Sequence, residues 1–105
     1  MKKKIAVIGG GIVGATASYY SAKAGYSVSV FDSGTGQATA AAAGIICPWL
    51  SRRRNKKWYR LVSEGAAFYD KLMADFSSVG LVTDFFVRCG ALFLGHSVEY
   101  LLEVH

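Results

Sequence analysis

Three consecutive glycines, Gly9-Gly10-Gly11, follow directly on the apolar run Ile5-Ala6-Val7-Ile8, and Gly14 comes three positions later. A run of glycines sustains neither strand nor helix well, so the chain turns here. The stretch after it is compatible with a helix, and a second run, Ser27 to Phe31, ends on Asp32. Strand, glycine turn, helix, strand and terminal carboxylate are the parts of a dinucleotide-binding βαβ unit. In such a unit Gly9 allows the sharp exit from the strand, and Gly11 lets backbone N–H groups approach a pyrophosphate. Gly14 lets the helix lie close on the sheet. The helix N-terminus offers unpaired N–H groups and a partial positive charge to the phosphates. Asp32 stands 18 positions after Gly14, a spacing that suits a carboxylate for ribose hydroxyls. Glycine patterns also occur at ordinary turns, so the flanking strands and helix carry the weight of this reading.

The rest of the chain is read from periodicity and punctuation. Lys4–Ile8 is apolar apart from its first residue, as in a parallel strand buried on both faces. A helix is expected from Ile12 to Ala24, with Gly14, Ala17, Ser18 and Ser21 forming a flat face and Gly25 ending it. Ser27–Phe31 alternates as a strand, and Ser33-Gly34-Thr35-Gly36 is a turn. The alanine-rich segment from Gln37 to Gly44 has high helix propensity, Ile45–Cys47 suits an extended path, and Pro48 stops any helix. Trp58, Leu61, Val62, Phe68, Tyr69, Leu72, Met73 and Phe76 recur at helical steps, which predicts an amphipathic helix over 56–76. Ser77–Gly80 should break it. Thr83–Arg88 and Ala91–Leu94 read as short strands, and 97–105 as a helix in progress.

At 105 residues the chain is about one small domain. A complete dinucleotide fold uses about five or six strands, whereas about four candidates are present. The expectation is an N-terminal piece of a longer protein, whose remainder would hold most of the chemistry. The start Met1-Lys2-Lys3-Lys4 mimics a secretory signal, but the glycines would break its apolar helix. No run approaches the length of a membrane span. The expected location is cytoplasmic, with a basic surface able to rest on a membrane. Cys47 and Cys89 show neither metal nor disulfide spacing and read as free thiols, and His96 and His105 lack metal partners.

With these residues in view, Ile5 to Asp32 followed by Thr39-Ala40-Ala41-Ala42-Ala43-Gly44-Ile45-Ile46 resembles the start of the FAD-dependent D-amino acid oxidase family. That family includes glycine oxidase, sarcosine oxidase and the small subunit of D-amino acid dehydrogenase. The resemblance runs along nearly the whole chain, through the long helix and Cys89-Gly90-Ala91-Leu92-Phe93. It implies the α/β class: a Rossmann-like FAD/NAD(P)-binding βαβ unit, incomplete here, with the start of a substrate domain. Residues 1–50 would be the βαβ unit with the alanine-rich segment, 51–80 the long helix of the same domain, and 81–105 the beginning of the substrate domain.

Carried onto this chain, the resemblance implies that Gly9, Gly11, Ile12, Val13 and Gly14 contact the FAD pyrophosphate. Asp32, with Ser33 beside it, would hold the adenosine ribose. Gln37, Thr39, Ala40, Ala43 and Gly44 would touch the pyrophosphate and ribityl chain, and Ile45 and Ile46 would approach the flavin. The family commonly has Glu at the position of Asp32, and often Arg and Ser where Gln37 and Ala40 stand. The implied reaction is oxidation of the amine carbon of an amino acid, with the substrate clamp beyond position 105 and no catalytic residue within the chain. A nicotinamide-dependent enzyme, or a non-catalytic nucleotide-binding module, is the alternative built on the same unit.

The cluster Arg52–Lys57, with Trp49, Trp58 and Tyr59 around it, reads either as a solvated helix entrance or as a nucleic-acid patch. The solvated entrance is the simpler reading. Tyr19 and Tyr20 should pack on the sheet or a neighbouring layer, and Cys47 should be an inert buried thiol. An incomplete parallel sheet leaves bare edges, so self-association of the chain is expected.

Overall fold

The computed structural model describes residues 1–91. Most of the expected strand 91–94, and all of the expected helix 97–105, lie outside the described residues. The chain divides into one unit from Met1 to Ile45 and a second beginning at Ile46.

The first unit is a βαβ arrangement. Strand β1 (Lys4–Ile8), helix α1 (Ile12–Lys23) and strand β2 (Ser27–Phe31) follow in order. The strands pair in parallel, from Lys4 opposite Ser27 to Ile8 opposite Phe31. The ladder is extended at both ends, by Ser27 N–H to the Lys3 carbonyl and Gly9 N–H to the Phe31 carbonyl. α1 starts at the glycine turn, where Ala15 N–H donates to the Gly11 carbonyl over 2.8 Å. It ends in a Schellman motif: Gly25 N–H donates to Ala22 and Tyr26 N–H to Ser21, with Gly25 at φ +90°.

The alternation of the strands decides which side chains meet the helix. Ile5, Val7 and Val28 are half-buried, while Ile8 and Phe31 on the opposite face are 82% and 57% exposed. The apolar run of β1 predicts burial on both faces; within this unit one face is covered and the other is open. Along α1, Gly14, Ser18 and Ser21 are half-buried as expected, but Ala17 is exposed. Ser18 turns its hydroxyl inward to the Gly14 carbonyl at 2.7 Å, satisfying a polar group on the packed face. Tyr19 and Tyr20 meet edge-on with centroids 5.1 Å apart, and the Lys23 ammonium lies within 5.9 Å of both.

The alanine-rich segment forms only one turn, α2 (Ala38–Ala41), shorter than the sequence predicts. Alanines bury little area, and a helix this short gains too little to offset its nucleation. The helix ends on an extended Ala42, and Gly44, two positions further on, takes φ +70°.

In the second unit Pro48 begins, rather than stops, a turn of 3₁₀ helix over Pro48–Leu50. At the first helical position its missing N–H costs nothing. The long helix α3 (Lys56–Ser78) runs 23 residues and is capped by Asn55, whose Oδ1 accepts the Trp58 N–H at 3.0 Å. It continues past Phe76 because its stop is another Schellman motif. Gly80 N–H donates to Ser77 and Leu81 N–H to Phe76.

Residues 83–88 form no strand. Phe86 N–H instead closes a turn on the Thr83 carbonyl, and the aromatic rings face α3. Phe86 stacks on Tyr69 at 5.2 Å and Phe85 lies 6.4 Å from Phe76. Arg88 closes the segment with a two-pronged ion pair to Asp70, which raises the guanidinium pKa above its ordinary value. Among the described residues Leu72 of α3 is the buried hydrophobic, at 4% exposure, and Pro48 is buried as well. Cys47, expected to be buried, is half-buried, and Cys89 is exposed.

Candidate functional site

The site is built at the C-terminal ends of β1 and β2, where the first unit turns into α1. Gly9 leaves the strand at φ +98°, a conformation that L side chains rarely adopt. α1 then begins so close to the strand that a Cβ on Gly14 would stand 1.9 Å from the Gly9 carbonyl oxygen and 3.3 Å from Val7 Cγ1. No side chain fits there. The absence of a Cβ at Gly14 seats the helix on the sheet, as the sequence predicts, and aims its N-terminal N–H groups outward from the strand ends. By helix geometry the first of these have no partner within the helix.

Thr39 is the side chain that meets this terminus. Its Oγ1 accepts the Ile12 N–H at 3.0 Å, across 27 positions of sequence. A Cβ on Gly11 would lie 2.9 Å from that same oxygen, so Gly11 makes room for Thr39. A hydroxyl that accepts from the backbone keeps its own proton to donate. Thr39 therefore presents a donor beside the helix N-terminus, where an anionic oxygen would sit.

Asp32 lies at the end of β2, and the backbone grips it from both sides. Gly10 N–H donates to Oδ2, and Gly34 N–H to Oδ1 at 2.7 Å. These two bonds, Gly10 the stronger influence, hold the carboxyl below the ordinary aspartate range. Each carboxylate oxygen keeps a further lone pair for a hydroxyl. Gly10 and Gly34 are not among the site residues expected from the sequence. For Gly34 a signal exists, because Asp-Ser-Gly after a strand is an Asx-turn pattern. For Gly10 the contact depends on tertiary register and has no local signature.

The remaining expected residues fall in the elements as follows. Gly9, Gly11, Ile12, Val13 and Gly14 form the loop and first helical turn. Ser33 bonds Thr35 through their hydroxyls at 2.7 Å in the turn after Asp32. Gln37 is the N-cap residue of α2, and Thr39 and Ala40 lie within it. Ala43, Gly44 and Ile45 continue the first unit, all exposed, and Ile46 opens the second. The structure directly joins Thr39 to Ile12, and Asp32 to Gly10. Among the described residues no group of His, Cys, Asp and Glu forms a metal-binding cluster.

A glycine corner with no space for a Cβ, a helix N-terminus, a hydroxyl donor and a carboxylate at the neighbouring strand end suit the diphosphate and ribose of a dinucleotide. Comparison with known proteins places this corner in a class: residues 4–104 match the model of the FAD dependent oxidoreductase family, and the chain belongs to that family. A particular relative is the uncharacterized oxidoreductase YurR of Bacillus subtilis (strain 168), 45% identical over 91 residues. That alignment covers 86% of this chain and 24% of the relative, so the chain spans about a quarter of the relative's length. No solved structure matches the chain. The family is FAD-dependent, and the Rossmann-like reading of the βαβ unit agrees with it. The residues present fit that group, since Gly14 seats the helix N-terminus at the strand end and the Thr39 hydroxyl stands beside it, the donors a diphosphate requires.

Proposed function

We propose that the protein of which this chain is part oxidises the amine carbon of an amino acid, of the D-amino acid or glycine and sarcosine type. FAD, when bound, supplies the acceptor for the hydride that leaves the Cα–H. The amino acid becomes an imine, which water hydrolyses to an oxo acid and ammonia. This chain's residues hold and orient. The N–H groups of Val13 and Gly14 and the hydroxyl of Thr39, itself held in place by the Ile12 amide, would bind the diphosphate, and Asp32 the adenosine ribose. Ser33, Gln37, Ala40, Ala43 and Gly44 line the path in this reading, and Ile45, 79% exposed, offers apolar surface to the ring. Ile46, next in the chain, is assigned with it.

The observation that carries the reading is the seating of α1 against the Gly9 carbonyl, which only a residue without a Cβ at Gly14 allows, together with the Thr39 hydroxyl on the Ile12 amide. The shorter Asp32 in place of the family's usual Glu still serves, because its two backbone bonds fix the carboxylate in place.

The test is to purify the full-length protein and mix it anaerobically with a panel of D- and L-amino acids, glycine and sarcosine. Bleaching of the flavin colour by one of these, with matching release of ammonia, or of methylamine from sarcosine, as the imine hydrolyses, is the expected result. A flavin-loaded protein that none of them bleaches would remove the amine substrate and leave the cofactor assignment standing. A colourless protein that takes up no FAD would remove both.

A further inference from the structure

The second unit carries a charge pattern that flavin binding does not use. Between Ser33 and Ser63 the sequence has no Asp or Glu, yet it has Arg52, Arg53, Arg54, Lys56, Lys57 and Arg60. Half of the chain's 12 Lys and Arg thus fall within nine positions. All six are exposed. Arg60 is paired with Glu64 at 2.7 Å, whereas Arg54, Lys56 and Lys57 make no ion pair among the described residues. A solvated helix entrance accounts for exposed cations. It does not account for the apolar side chains exposed among them. Trp49 is 47% exposed, Tyr59 41% and Leu61 71%. Leu61 lies one helical turn beyond Lys57, so an apolar side chain and a cation share one exposed face of α3.

We infer that this segment docks the protein on a bilayer surface rich in anionic lipid. Exposed Lys and Arg are drawn to anionic headgroups, each raising partitioning about fivefold near the surface. Leu61 on the face it shares with Lys57, and Trp49 ahead of the helix, suit the boundary between headgroups and acyl chains. A nucleic acid is the competing polyanion, and the geometry disfavours it on two counts. The guanidinium of Arg53 lies 4.9 Å from the Trp58 ring centroid, so that ring is already covered by a cation rather than open to a base. Leu61, the most exposed apolar residue of the segment, has no stacking face, but it can bury its side chain in a bilayer. The proposal is independent of the flavin site and stands or falls without it.

Co-sedimentation of the intact protein with vesicles tests it. Vesicles of equal parts phosphatidylcholine and phosphatidylglycerol should retain the protein at low salt, with a blue shift of its tryptophan fluorescence. Vesicles of phosphatidylcholine alone should not. The double variant Lys56→Gln with Lys57→Gln should lower partitioning about 30-fold. Leu61→Ser should lower it less and reduce the blue shift. Circular dichroism confirms that each variant keeps its helix, and Arg54→Gln replaces the double variant should that one fail to fold. Equal retention on both kinds of vesicle, no retention on either, or a charge-dependent loss with no response to Leu61→Ser would overturn the proposal. So would tighter binding to a single-stranded oligonucleotide at the same salt.

Discussion

In the first unit the decisive contacts are made by glycine backbone and by short polar side chains, Thr39 and Asp32, that close on it. In the second they are made by a 23-residue helix, four aromatic rings and a long-range ion pair. Clearance shapes the first and area shapes the second. A backbone cradle fails abruptly when one atom is added, because packed backbone has nowhere to move. A helix held by side-chain area and capping degrades in small steps. Substitutions in the two units should therefore differ in size and in what they affect.

The largest effect is expected from Gly14→Val. The new side chain would begin 1.9 Å from the Gly9 carbonyl, so α1 must lift off the sheet. The expected loss is about 3 kcal/mol or more in urea unfolding. FAD retention by the intact protein should disappear, while the dichroism of α3 survives. A Gly14→Val protein that keeps both stability and flavin would break the contrast at its root.

Next in size is Thr39→Ala, which removes the hydroxyl from the Ile12 amide. FAD affinity should fall about tenfold, or about 1.4 kcal/mol, and Thr39→Ser should restore most of it. Asn55→Ala follows in the other unit. Losing the acceptor for Trp58 N–H should cost about 1 kcal/mol of stability and leave FAD affinity unchanged. Equal effects of these two on flavin affinity would show that the units do not divide the work as described.

Asp32 gives a pH signature. Its folded pKa is depressed by the Gly10 and Gly34 amides, so it contributes stability above the ordinary aspartate value of about 3.9. That contribution is lost as pH falls through the lowered folded value. The gap in unfolding midpoint between the wild type and Asp32→Asn should be constant near neutral pH and close in acid. The smallest effect is expected from Arg60→Ala, whose pair with Glu64 has side chains 81% and 62% exposed. About 0.3 kcal/mol, removed by added salt, is the expected cost.

The same contrast explains which parts were legible in the sequence. β1, α1 and β2 are marked by local signals, namely an apolar run, a glycine turn, a C-terminal glycine and alternation, and their bounds follow within one residue. The glycine corner was legible for the same reason. Spacing puts Asp32 at the end of β2, but its bond to Gly10 has no sequence signal, since it spans 22 positions and depends on how loop and strand end meet. Residues 83–88 look like a strand by composition. Their rings instead find partners on α3, and tertiary packing overrides propensity. α2 fails in the opposite way: alanines favour a helix, but one with nothing to bury stops after a turn.

Burial among the described residues centres on Leu72, deep in the C-terminal half of α3, with Pro48 beside the start of the second unit. Amide protons should consequently exchange with deuterated solvent slowest in the turns around Leu72. Those of β1 and β2, whose outer face is open, should exchange sooner despite their regular ladder. Occupancy of the glycine corner by a nucleotide would then register as slowed exchange at Gly10 through Gly14, a readout that needs no catalysis.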